Sequence, residues 1–236
     1  MNELRIIPLP SVAMVHEGDD LVSMLLDAVT AHATSLEFHD LVIVTSKVVS
    51  KSEGRVVPFD GTEEHKATLI EQESRRILRR RGPMRITETL HGFVNANAGI
   101  DLSNTDDGTA VLLPRDPDRS ARRIRAELQR RSGVDVAVIV TDTFGRVWRQ
   151  GVTDVAIGLA GLKPILDLRG TSDAMGRVLE VTEVCVADEI AGAANLVLGK
   201  AEGTPFAIVR GLDESYFGEG SVKEGIIRSA NEDLFR

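Results

Sequence analysis

The segment that most constrains the fold is an apolar run, Val134 to Val140, that gives way abruptly to Thr141-Asp142-Thr143. Such a run is typical of a buried strand, so the polar residues after it would emerge at one rim of a sheet. Their carboxylate and hydroxyl oxygens suit a hard cation such as Mg²⁺ or Mn²⁺, which often shares its ligands with substrate phosphates. Arg146 and Arg149 follow, and a guanidinium binds phosphate or carboxylate through paired hydrogen bonds. The segment predicts metal-assisted chemistry on a phosphorylated substrate, with a plain strand end and turn as the alternative.

Length and composition narrow the class of protein. The chain has 236 residues, which favours a single domain, or two intimately packed subdomains. Its net charge of −8 argues against a general nucleic-acid binder, and its single cysteine excludes an intrachain disulfide or a multi-cysteine zinc site. No apolar run approaches the roughly 20 residues of a membrane span, and the N-terminus lacks the features of a secretory signal. We therefore expect a soluble cytoplasmic protein with no membrane or nucleic-acid partner.

Hydrophobic spacing predicts strands and helices that interleave along the chain. Strands are predicted at Leu4 to Ile7, Leu41 to Thr45, Arg85 to Glu88, Gly92 to Asn95, Ala110 to Leu113, Val134 to Val140 and Phe206 to Val209. Helices are predicted at Asp19 to Ala33, Ser46 to Gly54, Glu63 to Arg81, Asp116 to Arg131, Glu183 to Leu198 and after a capping box at Ser221. The hairpin formed by the third and fourth strands argues against a purely parallel sheet, so the predicted fold class is α+β with mixed sheets.

Two of these helices carry further expectations. The last turns of the Glu63 to Arg81 helix would hold five arginines, which would complement the helix dipole, with a binding patch as the alternative. The Glu183 to Leu198 helix is apolar on nearly all sides, which predicts that it is buried.

Three further segments could contribute to the same site. In the helix after Thr45, Ser46 is the expected N-cap, and Lys47 and Lys51 lie four residues apart on one face, near backbone N–H groups that favour anions. The loop from Asp101 to Asn104 offers a carboxylate and an amide to a cation or a phosphate. The glycine-containing loop at residues 199–205 could cover a ligand. The alternatives are an ordinary surface helix, an Asx turn and a plain helix-to-strand connection. The Walker A pattern GxxxxGK[ST] is absent.

Five phrases together carry a resemblance to a known family. They are Val44-Thr45-Ser46-Lys47-Val48-Val49-Ser50-Lys51-Ser52-Glu53-Gly54-Arg55, Asn97-Ala98-Gly99-Ile100-Asp101-Leu102-Ser103-Asn104, Leu113-Pro114-Arg115-Asp116-Pro117-Asp118, Thr141-Asp142-Thr143-Phe144-Gly145-Arg146 and Val186-Ala187-Asp188-Glu189-Ile190-Ala191. With them the chain resembles the coenzyme F-420:L-glutamate ligase family, in its stand-alone form without the C-terminal nitroreductase-type domain that some members carry. The resemblance implies a gamma-glutamyl ligase-like α+β fold, an intertwined homodimer, and GTP-dependent addition of L-glutamate to the deazaflavin precursor of coenzyme F-420 through an acyl phosphate.

The resemblance also implies cofactors and site residues. It implies two Mg²⁺ or Mn²⁺ ions per site and a K⁺ ion. The metal ligands that it implies are Asp101, Asp142, Thr143 and Glu202, with Glu202 the only acidic candidate in its loop. The nucleotide-binding positions that it implies are Ser11, Val12, Ala13, Met14, Ser46, Lys47, Lys51, Asn104, Gly199, Lys200, Ala201, Glu202, Gly203 and Thr204. Residues 11–14 depart from the Gly-Leu-Pro that the family often has there. We assign Asp142 and Arg146 to catalysis, Arg146 as the group that binds a phosphate or a substrate carboxylate.

Two other functions remain open from the residues themselves. A metal-dependent nucleotide phosphohydrolase could use the same rim of the sheet, and a non-catalytic protein could bind a deazaflavin or a nucleotide there. No base-reading motif such as NKxD is present, so the preference for GTP over ATP comes from the resemblance.

Overall fold

A mixed five-stranded sheet organises the fold, as described by a computed structural model for residues 3–10, 13–103, 105–199 and 203–234. The strands are β1 (Arg5–Leu9), β2 (Leu41–Thr45), β3 (Val56–Pro58), β4 (Ser74–Arg81), β5 (Met84–Thr89), β6 (Val94–Ala96), β7 (Thr109–Val111), β8 (Ala137–Gly145), β9 (Val152–Ala160), β10 (Leu166–Asp167), β11 (Glu183–Val184) and β12 (Phe206–Arg210). The central sheet has the order β1-β12-β2-β8-β9, with β2 and β8 parallel and the other neighbours antiparallel. Strands β4, β5 and β6 form a second, antiparallel sheet, and β3–β7 and β10–β11 are two-stranded pairs.

Helices cover the central sheet. Those in the described residues are α1 (Leu21–Ala31), α2 (Ser46–Ser52), α3 (Glu63–Gln72), α4 (Pro117–Ser132), α5 (Val186–Leu198) and α6 (Val222–Gly225). Helix α4 packs on β8 and β9, and α5 packs on β9, β12 and β1. Residues 41–44 of β2 and 137–140 of β8 are fully buried, as expected for parallel neighbours that are covered on both faces. The predicted α+β class with mixed sheets is confirmed.

Helix α4 begins and ends as its sequence predicts. The Asp116 carboxylate accepts the N–H of Arg119, Pro117 is the first helical residue, and Gly133 ends the helix in the left-handed region. The helix approaches β9 closely at Gly158, where a Cβ atom would lie 2.2 Å from the carbonyl carbon of Pro117. Glycine at this position therefore sets the distance between α4 and the sheet.

A buried carboxylate at the start of α4 joins three elements. Oδ1 of Asp118 accepts the N–H of Leu159 in β9 and that of Val222 in α6, both at 2.9 Å. Its Oδ2 accepts the N–H of Lys223 at 3.1 Å. Asp118 thus holds α6 and the chain after β12 against the edge of the central sheet. Ser221 caps α6 as predicted, by accepting the N–H of Glu224.

The prediction of one helix from Glu63 to Arg81 is wrong beyond Gln72. Helix α3 ends there, and the arginine-rich segment is instead β4, which pairs with β5 across a turn at Gly82. Two register shifts in this pairing break the two-residue alternation of a regular strand, and the apolar spacing then resembles that of a helix. The arginines therefore lie on a strand, and the explanation from a helix dipole is wrong.

Other boundaries differ from the predicted ones for local reasons. Strand β1 continues through Pro8, which an edge strand tolerates. Helix α5 begins only at Val186 because the two residues of β11 pair with β10, and its apolar surface is not buried all round, since Leu196 is 86% exposed. In the described part of the chain, no helix is both long enough and apolar enough to cross a membrane.

Candidate active site

The candidate site forms where β2 passes into α2, beside the point at which β8 continues past its parallel neighbour. The prediction that β8 ends at Val140 is wrong. After an irregularity at Thr141 the strand pairs with β9 as far as Gly145, whereas β2 ends opposite Thr141. Asp142 is thus held inside a hairpin at the rim of the parallel pair, and its position is fixed by backbone pairing.

Ser46 connects α2 directly to this hairpin. Its hydroxyl donates a hydrogen bond of 2.9 Å to Oδ1 of Asp142. The prediction that Ser46 caps α2 is wrong, because Thr45 occupies the cap position and its side chain makes no capping bond. The Ser46 hydroxyl is instead directed to a carboxylate 96 residues away in the chain.

The carboxyl of Asp142 has an unusual protonation equilibrium. Burial raises the pKa of Asp142 to about 7, and repulsion from the carboxylates of Asp154 and Asp101 adds to the shift. The hydrogen bonds from Ser46 and from the Thr143 N–H lower the pKa but do not offset the burial. Near neutral pH a substantial fraction of this carboxyl is protonated, and a cation placed beside it would favour the ionised form.

Asp101 is the second carboxylate of the site, and Lys47 neutralises it. The Lys47 ammonium lies 2.7 Å from Oδ2 of Asp101 and donates a hydrogen bond to the Ser103 carbonyl oxygen at 2.9 Å. The N–H and hydroxyl of Ser103 both donate to Oδ1 of Asp101 at 2.7 Å. Burial raises the pKa of Asp101, but the bonds from Lys47 and Ser103 outweigh it and hold the pKa below its usual value. Part of the predicted Asx turn is therefore present, together with an ion pair to α2.

A strained turn delivers Asp101 to this position. Asn97, Ala98 and Gly99 have φ angles of +51°, +56° and +70°, and Ala98 is buried. Left-handed backbone costs energy in residues other than glycine, so the surrounding structure must hold it in place. A side chain at Gly99 would meet Leu113, which explains why glycine stands in the third position.

The second lysine of α2 lies deeper than the first. Lys51 is buried, and its Nζ lies 3.3 Å from Sδ of Met14. Burial lowers the pKa of Lys51, and the positive charge of Lys47 lowers it further. The Thr45 N–H donates to the carbonyl oxygen of Pro205, so the loop that follows α5 also meets this corner of the sheet.

Thr143 is oriented differently from Asp142. Successive residues of a strand face opposite sides of the sheet, so the two side chains diverge. The Thr143 hydroxyl donates a hydrogen bond of 2.6 Å to Oδ1 of the buried residue Asp154, its cross-strand neighbour. Sequence reasoning missed Asp154, although a hairpin centred on residues 146–151 would have placed it opposite Thr143.

The structure does not bring Arg146 into this cluster. Arg146 lies in the exposed loop between β8 and β9, where its guanidinium donates to the carbonyl oxygen of Gln150. Five of the predicted nucleotide-binding positions lie in the segments on either side of this corner. Ala13 and Met14 are exposed near α2. Gly199 ends α5, and Gly203 and the buried residue Thr204 precede β12. Six predicted site residues lie outside the described residues, namely Ser11, Val12, Asn104, Lys200, Ala201 and Glu202.

The chemistry of the donors limits how a metal could be held here. Within residues 3–10, 13–103, 105–199 and 203–234, no three His, Cys, Asp or Glu side chains form a metal-binding group. A cation at Asp101 and Asp142 would therefore take further oxygen ligands from a substrate or from water, as Mg²⁺ commonly does.

Burial raises the pKa of the Cys185 thiol to about 12, which makes it a poor nucleophile.

Comparison with known proteins shows similarity over nearly the whole chain. Residues 11–211 match a family model described as F420-0:Gamma-glutamyl ligase. A protein named coenzyme F420:L-glutamate ligase from Methanothermobacter thermautotrophicus is 40% identical over 250 residues, covering 99% of both chains. Proteins of the same name from Methanopyrus kandleri and Archaeoglobus fulgidus are 41% and 39% identical, covering 99% of this chain and 98% and 96% of their own.

Proposed function

The chain belongs to the F420-0:gamma-glutamyl ligase family, and from this premise we propose that it joins L-glutamate to the precursor of coenzyme F420 and consumes GTP. The observation that carries the proposal is the position of α2. Its Ser46 bonds to Asp142 and its Lys47 pairs with Asp101, so one short helix brings two lysines and two distant carboxylates together. Ammonium groups beside carboxylates suit a nucleotide triphosphate accompanied by a divalent cation.

The two carboxylates fit a divalent cation. The pKa of Asp142 is raised by burial and by the neighbouring carboxylates of Asp154 and Asp101, and the Asp101 carboxylate lies 2.7 Å from the Lys47 ammonium. We propose that Asp101 and Asp142 hold Mg²⁺ or Mn²⁺, and that Thr143 contributes to a second such ion. When bound, these ions would neutralise charge on the phosphate oxygens during transfer.

The chain's own residues would then position the reactants. Lys47 and Lys51 would bind the phosphates of GTP. The terminal carboxylate of the precursor attacks the γ-phosphorus, and the bond between that phosphorus and the bridging oxygen of the β-phosphate breaks. GDP departs, and the precursor carries an acyl phosphate. The glutamate amine then attacks the acyl carbon, the bond from that carbon to the phosphate oxygen breaks, phosphate leaves, and the nitrogen gives one proton to water. Asp142, hydrogen-bonded to Ser46, lies where the two carboxylate-bearing segments meet and would act in the first step as a ligand of the divalent cation.

A single set of incubations tests the activity. The purified protein is given GTP, Mg²⁺, precursor and L-glutamate, then the same mixture lacking one component at a time, and the products are followed by mass spectrometry and phosphate release. The proposal predicts a glutamyl product only in the full mixture, with GDP formed in proportion. Phosphate release from GTP without precursor and glutamate would indicate a phosphohydrolase, and binding without turnover would indicate a non-catalytic protein. ATP in place of GTP tests the nucleotide preference.

Asp142→Ala tests the metal role within the same assay. Loss of a metal ligand should remove several kcal/mol of transition-state stabilisation, so we expect the rate to fall more than 100-fold. Asp27→Ala, at an exposed position of α1, is the matched control and should leave the rate unchanged. A rate for Asp142→Ala within tenfold of the wild type would contradict the role of Asp142.

Other parts of the family resemblance are proposals with their own measurements. We propose a homodimer, tested by light scattering on the eluting protein, and a requirement for K⁺, tested by replacing it with Na⁺. Arg146, in the exposed loop, would bind an anionic part of a substrate, and Arg146→Gln should then raise KM for that substrate more than it lowers kcat.

A further inference from the structure

A cavity of about 250 Å³ lies against the hairpin that carries Asp142. It lies between the turn joining β5 and β6, the hairpin of β8 and β9, and the chain around α6. Its walls are largely apolar and include Phe93, Phe144, Val155, Ile226 and Ile227. Two charged residues also line it, Arg228 and Asp188, and Oδ1 of Asp188 accepts the N–H of Ala156. Apolar walls with a few polar groups are typical of small-molecule sites.

Strand pairing places this cavity on the Asp142 side of the hairpin. Val155 is the direct cross-strand partner of Asp142, and Phe144 lies two residues further along β8. Both therefore face the same side of the sheet as the Asp142 carboxyl. Since Ser46 contacts that carboxyl from α2, Asp142 stands between the two lysines and the cavity.

The cavity is equipped for an aromatic ring with an anionic neighbour. The rings of Phe93 and Phe144 meet edge to face, with centroids 5.8 Å apart, and His91 stacks behind Phe93. Aromatic walls of this kind favour a planar ring through offset and edge contacts. Arg228 is exposed at the cavity, where its guanidinium can bind phosphate or carboxylate.

We propose that this cavity binds the aromatic ring of the acceptor, with Arg228 facing the anionic group attached to that ring. The acceptor carboxylate then reaches Asp142 from the side opposite to Lys47 and Lys51, which hold the nucleotide. This inference rests on the proposed function and adds to it a separate location for each substrate. The family assignment alone does not specify such a division.

Equilibrium binding tests the location without any turnover. Val155→Trp fills the cavity, and Arg228→Gln removes its cation. The probes are the coenzyme F420 precursor and riboflavin 5′-phosphate, a planar tricyclic ring with an attached phosphate, each followed by the change in ring fluorescence. Leu196→Trp, at an exposed position of α5, and Arg177→Gln, in an exposed loop, are the matched controls.

The expected pattern is selective. Val155→Trp should weaken both ring probes at least tenfold and Arg228→Gln about fivefold, whereas GTP affinity stays within twofold and the controls match the wild type. Wild-type affinity for the rings in folded Val155→Trp would overturn the assignment of the ring, and in Arg228→Gln that of the anion contact. If Val155→Trp does not fold, Phe144→Leu replaces it under the same criterion. If the wild type binds neither ring probe, the inference is overturned. If it binds the rings but forms no glutamyl product, only the proposed function is overturned.

Discussion

Replacement of Asp142 by Asn should change how the stability of the protein depends on pH. Asn keeps an oxygen that can accept the Ser46 hydroxyl but it cannot ionise. The pKa of Asp142 is raised from 3.8 to about 7 in the folded chain, so between these values the folded state holds a proton that the unfolded state has lost. Stability contributed by this group is therefore lost as pH rises from about 4 to about 7. A shift of about 3 units corresponds to at most about 4 kcal/mol, at 1.36 kcal/mol per unit.

Urea unfolding in the presence of a chelator measures this effect. The free energy of unfolding is determined for the wild type and Asp142→Asn at pH 4.5, 6 and 8, and the difference between the two cancels the contributions of other titrating groups. We expect the variant to gain on the wild type by up to about 3 kcal/mol between pH 4.5 and pH 8, because part of the total of about 4 kcal/mol is already lost at pH 4.5. Excess Mn²⁺ should then stabilise the wild type more than the variant at pH 8. A difference that stays constant within about 0.5 kcal/mol across the range would refute the account of Asp142.

Three further predictions concern the supports of the site. Lys47→Met should weaken GTP binding at least tenfold, because a hydrogen bond to a charged group contributes about 1.5–3 kcal/mol. The pKa of Asp101 should also rise, and this is measured as a shift, to higher pH, of the loss of GTP affinity on acidification. Asp118→Ala leaves three backbone N–H groups without their acceptor and should cost about 3 kcal/mol or more of unfolding free energy, measured in urea. Gly158→Ala should cost about 3 kcal/mol because its Cβ would meet backbone, whereas Gly145→Ala, where that atom meets open space, should change stability by less than about 0.5 kcal/mol.

Local patterns in the sequence were sufficient for much of the fold. The apolar runs of β2 and β8 predict buried strands because they are short and rich in β-branched residues. The Asp116-Pro117 start and the Gly133 end of α4 are set by capping chemistry within a few residues. Strand β4 was misassigned because its irregular pairing with β5 hides the alternation on which strand prediction relies.

The candidate site was less predictable because its contacts join distant segments. Lys47 and Asp101, like Ser46 and Asp142, were chosen as candidates separately, but no local pattern predicts that they pair. The apolar run predicts a strand that ends at Val140, and a strand of that length gives no sign of the hairpin that brings Asp154 to Thr143.

The arginines of β4 have a consequence for how copies of this protein meet. Among the strands of the described residues, β4 pairs only with β5 and is outermost in its sheet, and the backbone groups along such an edge can pair with a further strand. A second copy that added its own β4 edge to edge would bring two rows of guanidinium groups together, and this repulsion opposes the pairing. The arginines whose spacing resembles a helix terminus would thus disfavour edge-to-edge pairing of β4 between two copies.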